Sequence, residues 1–303
     1  MSLLQKALEN GKFAVTAEMA PPKGYDFAEQ LASAALLNGK VHGVNVTDMQ
    51  SACLKASSLG LCIHLKQAGV EPILQMTGRD RSRMAIMGDV LSAASFGIDT
   101  MLALTGDHPV VGDCKDAKPV YDLDSVGILR MLSEMEATGC DCGGNALAGG
   151  APVFFKGAAV TPVYEPQILQ INKLRQKVEA GARYIQTQGI FDLDSLKQFM
   201  EAVDKAGIKV PIHAGIMPVT NKSQIERMVS TCGASLPKKL SRMMARYENN
   251  PQALMDAGIS YATEQIVDLL ASGVEGIHLY AMNRPKMAEK IKGNISSLLD
   301  ARQ

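Results

Sequence analysis

Residues 177–192 read KVEAGARYIQTQGIFD: the end of a helical pattern, Gly181, a strand-like run over 183–187, then polar Gln186 and Gln188 at its close. Glycine stops a helix because it enters the left-handed region without a Cβ clash. The apolar, β-rich run that follows spells a short buried strand. Working outward, the same unit recurs. Gly69, Gly97, Gly207 and Gly273 each stand between a helical pattern and a strand. Strands are expected over 13–18, 41–47, 72–76, 100–104, 153–160, 183–187, 210–214 and 276–280. Helices are expected over 25–37, 52–67, 82–95, 124–138, 165–180, 194–206, 221–231, 237–247 and 261–272, with a closing helix from 284. Regular alternation implies parallel βαβ units. Eight of them in 303 residues suit an α/β fold, the (βα)8 TIM barrel, with extra helices before strand eight. The rival is a doubly wound open sheet. Its glycine-rich phosphate turn is missing, because Pro21-Pro22 occupies the turn after the first strand. Residues 139–150 are glycine-rich, but the alternation resumes beyond them, so residues 1–303 are read as one domain.

Composition narrows the function. Lys+Arg and Asp+Glu both total 31, and that balance gives no support to nucleic-acid binding. No apolar run reaches the roughly 18–20 residues of a membrane span. Residues 1–13 lack the apolar region of a signal peptide, so cytoplasmic residence is the default expectation. Six cysteines are too sparse for a disulfide framework in a chain of this length.

Barrel chemistry sits at the C-terminal ends of the strands. There the chain places Glu18, Thr47-Asp48, Gln75, Thr77, Arg79-Asp80-Arg81, Thr105-Gly106-Asp107-His108, Thr161, Tyr164, Gln186, Gln188, His213, Tyr280, Asn283 and Arg284. Turn formers alone do not explain such a ring of Glu, Gln and Arg. Glu18 closes an apolar strand, where burial raises a carboxyl pKa and suits it to acid catalysis. Glu18 with Asp107 also fits a glycosidase pair, yet no Trp is present to form a sugar platform. The five histidines are scattered and Cys140-x-Cys142 is too closely spaced, so no metal is expected.

Six segments in register resemble the methylenetetrahydrofolate reductase family. They are Thr16–Pro22 (TAEMAPP), Thr77–Arg81 (TGRDR), Leu104–Pro109 (LTGDHP), Lys177–Ala182 with Gln186–Asp192, Gly215–Asn221 (GIMPVTN) and Tyr280–Arg284 (YAMNR). The resemblance runs over residues 13–287. It implies a flavin-dependent barrel that reduces 5,10-methylenetetrahydrofolate to 5-methyltetrahydrofolate in one-carbon metabolism. By position, Glu18 is the acid that assists opening of the imidazolidine ring, and Asp107 lies by the flavin and the pterin. Gln188 would hydrogen-bond the folate, Arg284 would meet its glutamate tail, and Tyr280 joins the substrate-binding positions. Thr47, Gln75, Thr77, Thr105, Gly106, Tyr164 and Lys177 fall at cofactor-binding positions. The implied cofactor is FAD, the substrate a folate, the electron donor NAD(P)H, and the assembly an oligomer. Lys177 lies late in its helix, and its bland reading is a solvated charge.

Three positions depart from the usual family pattern. Gln75 stands where a His is common, Gln176 where an Arg is, and Lys222 where an aromatic residue follows Asn221. The first two admit FMN in place of FAD. The third raises a redox partner subunit as electron donor in place of NADH or NADPH. Two further readings stay open: a folate-binding methyltransferase passing its methyl group to a corrinoid, and a non-catalytic partner subunit.

Overall fold

The computed structural model describes residues 1–221, 237–281 and 283–301. Eight parallel strands close into a barrel in chain order: β1 (Ala14–Met19), β2 (Gly43–Val46), β3 (Pro72–Thr77), β4 (Thr100–Leu104), β5 (Phe155–Val160), β6 (Tyr184–Ile190), β7 (Ile212–Ile216) and β8 (Gly276–Leu279). Closure pairs β1 with β8, Ala14 opposite Gly276 and Thr16 opposite His278. The helices that follow are α2 (Ala28–Ala35), α3 (Ser58–Gln67), α4 (Arg83–Ser95), α5 (Ser125–Thr138), α6 (Gln167–Glu179) and α7 (Leu193–Lys205). Before β8 come α8 (Lys238–Tyr247) and α9 (Pro251–Ala271), and the chain ends in α10 (Pro285–Asn294) and α11 (Ser296–Ala301). The helix expected over 221–231 lies almost wholly outside the described residues. No helix among the described residues is long and apolar enough to cross a membrane.

Strand residues alternate between the helical coat and the barrel interior, as the period of two dictates. On β1, Val15, Ala17 and Met19 join the large outer core. Ala14, Thr16 and Glu18 take the opposite face. The lower interior is filled by Ala14, Ile73, Leu102, Phe155 and Tyr184 together with Leu4. Leu4 belongs to α1 (Leu3–Glu9), whose N-cap Ser2 accepts a hydrogen bond from the Gln5 N–H. This helix, which the sequence reading did not anticipate, plugs the bottom of the barrel. Gly157 makes room for the Tyr184 ring beside it: a methyl group there would sit 2.2 Å from the ring.

Other boundaries shift for local reasons. Helix α3 starts at Ser58 because Met49, Ser51 and Ala52 hold positive φ around a single 3-10 turn. Helix α9 begins at Pro251, ten residues ahead of the expected start, with Asn250 capping the Ala253 N–H. Strand β7 begins only after Pro211, which has no N–H for the ladder. His213 therefore lies near the lower end of its strand, opposite Gly276, and not at the mouth.

Candidate functional site

The upper ends of the strands surround a cavity of about 470 Å³. Glu18, Gln75, Thr77, Thr105, Gly106 and Asp107 line one part of it, and Tyr164, Lys177, Gln188 and Tyr280 line another. Ten of the twelve positions given a catalytic or binding role in the sequence are thus brought to one cavity. Thr47 and Arg284 are not on it. Thr47 is buried, its hydroxyl without a partner among the described residues. Arg284 is exposed at the N-cap of α10.

Glu18 is 4% exposed. Burial pushes its carboxyl pKa up to about 7, with no hydrogen bond or cation among the described residues holding the anion. It is a proton donor poised near neutrality. Asp107 sits on the outer rim, exposed, its Oδ2 accepting the Ser51 N–H at 3.1 Å. The Asp107 carbonyl accepts from Arg79 at 3.2 Å, and Arg79 also chelates Asp80. Between them, Gly106 turns with φ +92°, and a Cβ there would come within 3.0 Å of Arg79. That close approach leaves backbone, not side chain, facing the cavity.

The β2 and β3 ends are braced by charge. Asp48 accepts hydrogen bonds from the Thr77 N–H (2.9 Å), the Thr77 hydroxyl (2.8 Å) and Arg81 (2.6 and 3.2 Å). Arg81 continues to Asp89 at 2.9 Å. On the far side, β6 carries a register shift between Gln186 and Gly189. Thr187 ties that irregularity down, accepting the Gly215 N–H and donating to the Gln188 carbonyl, both at 2.8 Å. Bulges of this kind re-aim side chains at barrel rims, and here Gln188 faces the cavity. Tyr280 donates to the Thr187 carbonyl at 2.9 Å.

Lys177 reaches the wall despite its late position in α6. Its long stem runs inward, and the ammonium donates to the Ala159 carbonyl at 2.6 Å. Burial, with Lys173 nearby, lowers its pKa to about 8. The two lysines make this the cationic side of the cavity.

Sequence reasoning assigned no role to Lys173, Gln170 or Ser51, which also line the cavity, nor to Asn45 beneath it. The signal available for Asn45 was parity, since it lies opposite Glu18 in the β1–β2 register. A second cavity of about 290 Å³ lies at the other end, near Lys12, Lys40, His42 and Lys292. Lys292 occupies the last turn of α10, where a helix favours a cation for its own sake.

The family described as "Methylenetetrahydrofolate reductase" matches residues 3–296. A Zea mays protein, "Methylenetetrahydrofolate reductase (NADH) 1", is 27% identical over 100% of this chain and 52% of its own length. The chain therefore spans about half the length of such plant relatives. A Pectobacterium carotovorum "5,10-methylenetetrahydrofolate reductase" is 25% identical over 93% of this chain and 89% of its own. Among solved structures, a Clostridium thermocellum protein that binds two copies of 5-methyl-5,6,7,8-tetrahydrofolic acid superposes with a TM-score of 0.68. It covers 99% of this chain and 100% of its own at 14% identity, which shows the shared fold.

Proposed function

Because the chain belongs to the methylenetetrahydrofolate reductase family, we propose that its cavity reduces 5,10-methylenetetrahydrofolate to 5-methyltetrahydrofolate with a bound flavin. The observation that carries this reading is Glu18, a buried carboxyl facing the cavity with a pKa raised to about 7. Opening the imidazolidine ring expels an amine, and amine expulsion needs a proton. Glu18 delivers it from the cavity wall. Gln188 donates to and accepts from the amide-like edge of the pterin. Asp107 orients the same ring from the outer rim, and Arg284 meets the glutamate tail where it leaves the mouth. Bound flavin, FAD in this reading and FMN in its variant, supplies hydride to the methylene carbon.

The donor set suits such a cofactor. Lys173 and Lys177 offer charge to a phosphate, the backbone at Gly106 permits close approach, and Thr105 and Tyr164 flank the rim. Electrons arrive from NAD(P)H or from a redox partner subunit, and the active species is an oligomer in this proposal. The test is optical. Protein titrated with FAD and FMN should hold one of them with the absorbance of a bound oxidised flavin. Once chemically reduced, that flavin should be reoxidised by 5,10-methylenetetrahydrofolate. Folate binding with no flavin binding would reject the reductase in favour of methyl transfer. Rapid bleaching by NADH alone would remove the need for a partner.

Lys177 gives the flavin a pH signature. Below about pH 8 its ammonium is charged and attracts a phosphate; above it the charge is lost. Flavin affinity is therefore expected to fall by roughly tenfold from about pH 7 to about pH 9. Fluorescence titration measures it. Lys177→Met should bind weakly at both pH values, and an unchanged slope in that variant would remove Lys177 from the phosphate site.

A further inference from the structure

A barrel interior ordinarily fills with branched aliphatic side chains. Directly beneath Glu18 this chain does something else. Thr16, Asn45, Gln186 and His278 occupy that layer, none more than 3% exposed. Burying polar groups is costly unless they bond one another, and these do so in a chain. The Thr16 hydroxyl lies 2.9 Å from His278 Nδ1. Asn45 Nδ2 lies 3.3 Å from the same nitrogen and donates to Gln186 Oε1 at 3.2 Å. Burial holds His278 neutral, its pKa lowered to about 3, so its Nδ1 can accept while the layer carries no charge.

In this arrangement the Gln186 amide turns its Nε2 end upward. Its oxygen is taken by Asn45, and its side chain forms no other hydrogen bond among the described residues. The sealed, unpartnered atoms of the layer are Asn45 Oδ1 and His278 Nε2. Gln186 Nε2 is not among them, because Gln186 lines the cavity beside Glu18 and Gln188. A free glutamine amide rotates and is indifferent to donors and acceptors. This one is held.

We infer that Gln186 is a fixed hydrogen-bond donor to an acceptor atom on the ring of a planar heterocycle in the cavity, oriented by the Asn45–His278–Thr16 chain beneath it. The inference rests on the flavin–folate reading above and adds a specificity-determining residue to it. Isoalloxazine and pterin rings both carry carbonyl and ring-nitrogen acceptors, and a neutral donor selects for them without drawing the proton off Glu18. Asn45 acts through Gln186 and is a positioning residue.

The experiment first titrates the unaltered protein with FAD, and the FAD-loaded protein with 5-methyltetrahydrofolate. Failure of both titrations here rejects the flavin–folate reading itself. Given binding, Gln186→Met and Gln186→Leu, which fill the same space without an N–H, are compared in the same two titrations. About tenfold weaker binding of FAD, of the folate, or of both is expected from each variant. The weakened ligand identifies the ring that Gln186 meets. Asn45→Asp, measured at a pH where its buried carboxyl is ionised, presents an acceptor to Gln186, turns its amide over, and should weaken the same ligand to a similar degree. In the Gln186→Met background, Asn45→Asp should then add less than twofold, whereas a merely structural role would add its full effect. Both Gln186 variants binding both ligands within threefold of the unaltered protein would overturn the donor assignment. So would full additivity of the double variant, for the positioning chain.

Discussion

Replacing Glu18 with glutamine is expected to lower the rate of folate reduction by roughly 10²–10⁴-fold, while bound flavin still accepts electrons. Glutamine keeps the shape and the buried position but has no proton to give. In the unaltered protein the rate should fall as pH rises through about 7, where the carboxyl ionises. In Glu18→Gln that descent should vanish from what activity remains. Stability moves the opposite way. The folded carboxyl keeps its proton to about pH 7, whereas an unfolded chain releases it near the ordinary 4.5. Between those values the folded state binds more protons, so stability declines with rising pH. At pH 8 the variant should therefore be more stable, by on the order of 2–3 kcal/mol. Urea unfolding and single-turnover flavin reoxidation read the two effects separately. Folate reduction at the normal rate in Glu18→Gln would end its assignment as the acid.

Arg81→Leu should produce the largest loss of stability. The Asp48 side chain is 0% exposed and Arg81 is 12% exposed, so the pair sits apart from water. Removing the cation leaves a buried carboxylate with only the two Thr77 donors. Such orphaned charges cost about 3–5 kcal/mol. The double change Arg81→Leu with Asp48→Asn should recover much of it, since the cost lies in the unpaired charge. The denaturation midpoint is the measurement. A loss below about 1 kcal/mol would mean that the pair behaves as an exposed one. Because Thr77 lines the cavity, ligand affinity should weaken along with stability.

What the sequence made legible was periodic and local. Residues 177–192 contain a helix stop, a strand and two glutamines; β6 starts one residue from the expected position but runs on to Ile190, so Gln186 and Gln188 lie within it and not at its close. Glu18 was legible for the same reason, since parity and an apolar strand suffice to bury it. Lys177 was harder, because its side chain travels along the wall and no helical count predicts the direction. The polar layer was out of reach altogether. Asn45 and Gln186 are 141 positions apart and meet across the barrel interior. Only closure of the sheet, with its particular register, puts them face to face. His213 was displaced by a proline that delays the start of its strand. Helix α1 went unseen because its role is tertiary: a short amphipathic segment becomes a stopper only when a barrel exists to be stopped.

That stopper has a kinetic consequence. With Leu4, Phe155 and Tyr184 packed together at its lower end, the cavity above them opens, among the described residues, toward the mouth. A ring compound that reaches the space above Glu18 must back out the way it came. Two reactants that need the same space have to take turns, and the first must leave before the second arrives. If the electron donor and the folate of the proposed reaction share that space, varying them together should give parallel rather than intersecting double-reciprocal lines. A redox protein acting as donor would have to clear the doorway on every cycle, so lingering there would make it an inhibitor of the reaction it feeds.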